Sequence, residues 1–358
     1  MNRADRVAAL VAERELGALL VTDVFNVRWL TGFTGTNGLA VVGGGRDGTR
    51  RFATDFRYVE QAAGQVQGFD RIRAPQELLE AVAPALGEDE VRLGFDDAHL
   101  TVKQHRRLRE LLPDTVELVP ASGLLERERA IKDPDELARI RAAAALADDA
   151  LREVLEAGLV GRTEREVAWA LEDGMRRRGA PGPSFPSIVA AGPHGALPHA
   201  EPRDVAIPAD TLAVIDWGAL LDGYCSDCTR TVATGSLDGE ATEVYELVQE
   251  AQRAALDAVR AGPTGREVDA VARGVIEAAG RGDRFGHGLG HGVGIEVHEG
   301  PRLGRTGDVR LAPGHVVTVE PGVYEPGRFG VRIEDLVAVT DDAPEVLSSL
   351  SKELVRVQ

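Results

Sequence analysis

The sequence predicts two domains in series: a small α/β domain over residues 1–125 and a larger α+β domain over residues 133–358 that carries an internal repeat. Three observations predict it. Apolar strand-like runs alternate with helix-like stretches in the first third of the chain. A charged stretch, LLERERAIKDPDEL, then interrupts the alternation. Beyond it, a heptamer that begins at Gly161 returns at Gly262.

In chain order, the strand-like runs of the first domain are Gly17–Thr22 (GALLVT), Gly38–Val42 (GLAVV), Arg51–Ala53, Val91–Phe95 (VRLGF) and Val116–Val119 (VELV). Helix-like stretches lie at Gln76–Leu86 and Val102–Leu112. The segment Asn26–Gly38 is glycine-rich yet carries Arg28, Trp29 and Phe33. It reads as a loop suited to a site mouth or, more plainly, as a strand-to-turn segment. Asp133, Pro134 and Glu136 form a capping box with proline in the first turn, so a new helix starts there. GRTEREV (Gly161–Val167) and its recurrence GPTGREV (Gly262–Val268) each read as a Thr-capped helix start with Glu at the third helical position. Two strand-like segments follow each copy: LAVIDWG (Leu212–Gly218) and YCSDCTRTVA (Tyr224–Ala233), then VVTVEPG (Val316–Gly322) and VRIEDLVAV (Val331–Val339).

Composition bounds the function. The 358 residues are 43% hydrophobic and 28% charged, the balance of an ordinary globular protein. A formal charge of −17 repels phosphate backbones and anionic lipids, which argues against nucleic acid or a membrane as partner. Two cysteines exclude a disulfide scaffold and suit a reducing cytoplasm, and the charged N-terminal stretch has no signal-peptide core.

The repeat places an acid in each strand segment: Asp216 and Asp227 in one half, Glu320 and Glu334 in the other. Any one of them alone reads as a strand-end acid capping a turn. Four in matching positions need a counter-cation, because like charges brought together near a core destabilise one another. The histidines point the same way. Residues 286–298 read GHGLGHGVGIEVH, which puts His287, His291 and His298 in one glycine-rich stretch, out of eight histidines in the chain. A P-loop is the competing reading, but its GxxxxGK[ST] order is absent. His199, in GPHGALPHAEP, lies on a loop that reaches the site from another side. An oxygen-rich set with one imidazole suits two divalent ions, manganese first, with cobalt or zinc as alternatives. The lone Cys225-Ser-Asp-Cys228 motif cannot supply a four-thiolate zinc site, and no GxSxG or SxxK pattern supports a serine hydrolase.

Together DWGA, SDCTRT, GHGLGHGVGIEVHE, TVEPGVY and GVRIED resemble the metal-site signature of the pita-bread metallopeptidases, a family that includes aminopeptidase P, prolidase and methionine aminopeptidase. NVRWLTGFTGTNG and TDFRYVEQA extend the resemblance over the first domain, toward the small bacterial aminopeptidase P and prolidase group. The resemblance implies a pita-bread fold with a pseudo-twofold axis in the second domain. It implies Asp216 on one ion, His291 and Glu320 on the other, and Asp227 and Glu334 bridging them. His199, His287 and His298 would contact substrate, and Arg332 would balance the carboxylates. The activity implied is hydrolysis of the bond between an N-terminal residue and proline by a cytoplasmic homodimer. In it Glu320 moves the proton, and His298 or His199 stabilises the oxyanion. The expected form is a Xaa-Pro aminopeptidase, since Arg332 among four acids leaves no basic group for a dipeptide's carboxylate. A Xaa-Pro dipeptidase is the alternative, and a non-catalytic pita-bread binding protein the distant one.

Overall fold

The structure is a computed structural model that describes residues 2–44, 48–86 and 91–357. The chain divides into two compact units, Met1–Arg129 and Ala130–Gln358.

The first unit is built on strands β1 (Ala18–Val21), β2 (Gly38–Gly43), β3 (Arg50–Thr54), β4 (Asp70–Arg73), β5 (Val91–Phe95) and β6 (Val116–Pro120). They form one sheet in the order β4-β3-β2-β1-β5-β6. β1 pairs antiparallel with β2 and parallel with β5. Every residue of β1 and β2 is buried, as expected of central strands covered on both faces. The polar edge strand β4 has no hydrophobic signature, which is why the sequence reading passed over it.

Its helices are α1 (Arg3–Glu13), α2 (Val24–Thr31), α3 (Val59–Gln65), α4 (Ala83–Leu86), α5 (Val102–Leu111) and α6 (Leu124–Ala130). Two expectations are corrected here. Part of the segment read as loop or strand-to-turn is helix α2, capped by Asp23, whose Oδ2 accepts from Asn26 N at 3.0 Å, and ended by Gly32 at φ +79°. Trp29 and Phe33 are buried core residues of this unit. The helix expected over Gln76–Leu86 is a 3₁₀ turn at Leu78–Ala81 followed by the single turn α4, because Pro84 lacks the N–H that a continuous helix needs.

The second unit repeats itself. Helices α7 (Pro134–Glu156), α8 (Glu164–Arg177), α9 (Gly239–Ala258) and α10 (Gly265–Ala278) frame its sheets. α7 starts at the capping box read from sequence, and Thr163 and Thr264 cap α8 and α10 through identical boxes. Strands of the first half are β7 (Gly182–Pro183), β8 (Ile188–Ala191), β9 (Leu212–Trp217), β10 (Ala219–Leu221), β11 (Tyr224–Cys225) and β12 (Cys228–Ala233). Those of the second are β13 (Gly290–Gly292), β14 (Glu299–Leu303), β15 (Val316–Val319), β16 (Gly322–Glu325), β17 (Phe329–Arg332), β18 (Asp335–Ala338) and β19 (Glu345–Val346). The antiparallel set β8-β9-β12 thus has its counterpart in β13-β15-β18. Each set packs on its own helices, with Leu171, Ile215 and Trp217 buried in one core and Val268, Val317 and Val337 in the other.

The segments read as single strands, Tyr224–Ala233 and Val331–Val339, are each broken in two. The breaks fall at Ser226–Asp227 and Ile333–Glu334, so the two candidate bridging acids sit at matching interruptions. At the first, Ser226 N donates to Ala219 O and Ser226 Oγ accepts from Ala219 N, both at 2.9 Å. Gly218 is needed there, since a Cβ on it would lie 2.0 Å from Ser226 O.

His315, just before β15, gives a stability prediction. Burial, with a smaller contribution from Lys132, pushes its pKa down to about 4, and its Nδ1 accepts from Ala312 N at 3.1 Å. The folded chain therefore holds His315 neutral, whereas the unfolded chain protonates it near pH 6.5. This contribution is complete above pH 6.5 and is lost as pH falls toward 4, by about 3 kcal/mol. Urea unfolding of His315→Asn should show a correspondingly shallower loss of stability between pH 6.5 and 4.

Candidate metal centre

Each candidate ligand is placed by a strand end or a strand break. Asp216 lies in β9 opposite Thr229 of β12, and Glu320 follows β15 directly. His291 sits where the register of β13 and β14 shifts, an irregularity that re-aims a side chain. Gly290 permits the close approach, because a Cβ there would lie 2.1 Å from Thr318 O.

These elements bring the residues together. Ligand atoms of Asp216, Asp227 and Glu334 lie within 4.8 Å of one another. His291 Nε2 lies 3.6 Å from Asp227 Oδ2 and 3.4 Å from Glu320 Oε1. Its other ring nitrogen, Nδ1, is 3.1 Å from the carbonyl oxygen of Gly292 and must donate to it. Nε2 then presents a lone pair toward two carboxylates, a place that a divalent cation would fit.

Electrostatics agree. Burial, then the charges of Glu334, Asp216 and Glu320, pushes the Asp227 carboxyl well above the usual carboxylate range. Burial, then Glu320 and Asp216, does the same to Glu334. Burial raises Glu320 to about 7, against the opposing charge of Arg332. Among the described residues, Asp216 Oδ1 and Glu334 Oε1 are buried without a hydrogen-bond partner. Four acids, a properly oriented imidazole and two orphaned carboxylate oxygens fit divalent metal.

Around the acids runs a hydrogen-bonded frame. Arg332, buried, donates to Asp216 Oδ2 at 2.6 Å, Tyr324 Oη at 2.9 Å, Thr229 Oγ1 at 3.0 Å and Pro198 O at 3.1 Å. Thr229 passes this on, donating to Glu334 Oε2 at 2.7 Å, and Thr318 Oγ1 donates to Glu320 Oε1 at 3.1 Å. Since Tyr324 accepts from Arg332, its hydroxyl is free to donate to His287 Nε2, 2.9 Å away, while His287 Nδ1 donates to Gly288 O at 2.8 Å. Burial first, then the charge of Arg332, lowers His287 to about 4, so the ring is neutral. Both its nitrogens are engaged. His298 packs edge-on against His291 with ring centroids 4.4 Å apart, and His199 follows Pro198, the residue whose carbonyl Arg332 holds.

The sequence reading missed Tyr324, Thr229 and Thr318. The threonines carried a signal: each stands two residues from a candidate ligand, the spacing of one strand face. Nothing local marks Tyr324. Also missed was Arg302, exposed on β14, whose charge contributes to lowering both His291 and His298. Arg230 of the SDCTRT segment is turned away, buried against Asp335 Oδ1 at 2.9 Å and the carbonyl of Ser351 at 3.0 Å. The buried thiols of Cys225 and Cys228 donate to Ile295 O and Glu334 O.

Fold and site together define a two-domain metal-dependent peptidase whose second domain is the duplicated pita-bread fold. Residues 138–341 match Metallopeptidase family M24, and residues 3–131 match the Creatinase/Prolidase N-terminal domain. The chain belongs to metallopeptidase family M24. It is 41% identical over 352 residues to the uncharacterized peptidase YqhT of Bacillus subtilis, covering 98% of this chain and 99% of that one. A Xaa-Pro dipeptidase from Bacillus anthracis superposes with TM-score 0.94 at 38% identity, over 99% of both chains. An X-Pro aminopeptidase from Thermotoga maritima does so with TM-score 0.87 at 33% identity, over 97% of this chain and 99% of that one. Relatives in Pyrococcus and Lactobacillus carry the name Xaa-Pro dipeptidase. No described helix is long and apolar enough to cross a membrane.

Proposed function

We propose that the protein is a Xaa-Pro dipeptidase that uses two divalent ions, manganese first, held by Asp216, Asp227, His291, Glu320 and Glu334. When bound, such ions lower the pKa of water toward neutrality and polarise a carbonyl. The chain's own groups do the rest. Glu320, whose Oε1 accepts from Thr318, has its second carboxylate oxygen left to take and return a proton. His298 and His199 donate to the oxygen on which charge develops. His287, with both nitrogens engaged, orients Tyr324 and through it Arg332. A scissile bond before proline has no N–H, so recognition rests on the groups at either end of the dipeptide. The two buried thiols, Cys225 and Cys228, are in keeping with a reducing cytoplasm.

Arg302 carries the choice of dipeptide over longer peptide. The expectation of an aminopeptidase rested on Arg332 being occupied by the acids, and it is so occupied. Arg302 supplies the guanidinium that this argument lacked: exposed on β14, the strand that pairs with the His291 strand, and suited to a proline carboxylate. The relatives named Xaa-Pro dipeptidase support the same reading. With manganese-loaded protein, kcat/KM for Ala-Pro should exceed that for Ala-Pro-Ala at least about tenfold, and Arg302→Met should erase the difference by raising KM for the dipeptide. Equal or faster cleavage of the tripeptide would make the aminopeptidase reading correct.

A further inference from the structure

We propose that Glu164 is a positioning residue for the reaction: its carboxylate closes the segment 191–203 into a rigid ring and thereby fixes His199 and the Pro198 carbonyl in the site. The inference rests on the reading above, in which His199 contacts substrate.

Glu164 is the first residue of α8 and is 1% exposed. Its Oε1 accepts from Ala191 N and Arg203 Nη2, both at 3.0 Å. Its Oε2 accepts from Arg203 N and Nε, both at 3.0 Å, and lies 2.9 Å from His194 Nδ1. One carboxylate thus ties together both ends and the middle of a segment whose regular structure beyond the end of β8 is the 3₁₀ turn Gly192–Ala196. Without that tie, the segment has little to offset the entropy of ordering it. The arrangement needs an anion: every partner reaches it with an N–H, and a neutral amide would turn an NH₂ toward one of them.

From this ring two groups enter the centre. The Pro198 carbonyl accepts from Arg332 at 3.1 Å, and His199 is the next residue in the chain, so fixing one fixes the backbone of the other. The ring also rests directly on β17, since a Cβ on Gly330 would lie 1.9 Å from Gly195 O. A shift of the segment would therefore move Arg332 as well as His199.

The second half of the unit uses the same device. Asp269 on α10, 2% exposed, accepts from Leu289 N at 3.0 Å and pairs with Arg273 at 2.8 Å. Arg273 donates to the carbonyls of Phe285 at 3.0 Å and His287 at 2.8 Å. In each half, then, a buried acid on the equivalent helix holds the loop that delivers a histidine.

The test is steady-state hydrolysis of Ala-Pro by manganese-loaded full-length protein. Glu164→Gln should lower kcat about ten- to hundredfold, with KM changed less than about threefold and metal content unchanged. Thr163→Ala removes the cap that Thr163 Oγ1 provides for Glu166 N, and so loosens the same helix end without touching the ring. It should lower the melting temperature and leave kcat unchanged. Arg203→Met, at a half-exposed side chain, removes two of the ring's bonds without a folding risk and should lower kcat in the same direction. In a His199→Ala background, Glu164→Gln and Arg203→Met should each cost clearly less than in wild type, because one of the two groups they position is gone. Effects that multiply in full in that background, or a Thr163→Ala loss equal to that of Glu164→Gln, would overturn the inference. A neutral Glu164→Gln beside an impaired His199→Ala overturns the inference alone. A neutral His199→Ala overturns the substrate-contact reading and the inference with it.

Discussion

Glu334→Gln should reduce peptide hydrolysis to about a thousandth of wild type or less, the scale of losing the several kcal/mol that a bound cation contributes to the transition state. The side chain is 2% exposed, its Oε2 accepts from Thr229, and its Oε1 has no partner among the described residues. A glutamine keeps the Thr229 bond but gives up the anionic oxygen that a metal would take. Metal content by atomic absorption should fall below that of wild type. The melting temperature separates this from simple damage. Wild type should gain about 2.7 kcal/mol when the metal is raised to a hundred times its Kd, and the variant much less. Stripped of metal, the variant should be no less stable than wild type, since a carboxylate crowded by Glu320 and Asp216 has become neutral. Turnover within tenfold of wild type would remove Glu334 from the ligand set.

Arg332→Met should have the second largest effect, and its sign depends on metal. The guanidinium is 3% exposed and is the cation bonded to Asp216 beside three further acids. Removing it leaves the largely buried Asp216 carboxylate uncompensated, a change on the order of 3 kcal/mol in the metal-free protein. With metal bound, the ions supply the missing positive charge and the loss should shrink. Urea unfolding with chelator and with manganese measures both values. Activity should drop about a hundredfold even when the protein is loaded and folded, because Tyr324, Thr229 and Pro198 lose their common donor and the centre loosens. Arg332→Lys should recover stability better than activity, since an ammonium restores the charge but not the planar fork. Equal destabilisation with and without metal would contradict the role of Arg332 as the charge balance of this centre.

The sequence by itself determined what is encoded within a few turns of chain. The capping boxes at Asp133, Thr163 and Thr264 were legible because each cap and its partner lie three residues apart, and all three start helices in the structure. The repeated heptamer and the four acids at apolar strand segments announced a duplicated domain, and the GHGLGHGVGIEVH stretch placed an imidazole beside the acids. The tertiary structure alone decided how these groups serve one another. The interruptions at Asp227 and Glu334 arise from crossings such as Gly218 against Ser226, between segments that are each plausible as one continuous strand. Arg332 binds Asp216 from 116 positions away in the chain, and Tyr324 joins Arg332 to His287. Nothing in the sequence singled out Arg302 or Glu164; folding set one on the strand paired with the His291 strand and buried the other against the segment that carries His199. The reason is range: helix caps and strand periodicity are short-range preferences of the backbone, whereas a carboxylate's partners and its pKa depend on which distant segments packing brings within about 4 Å.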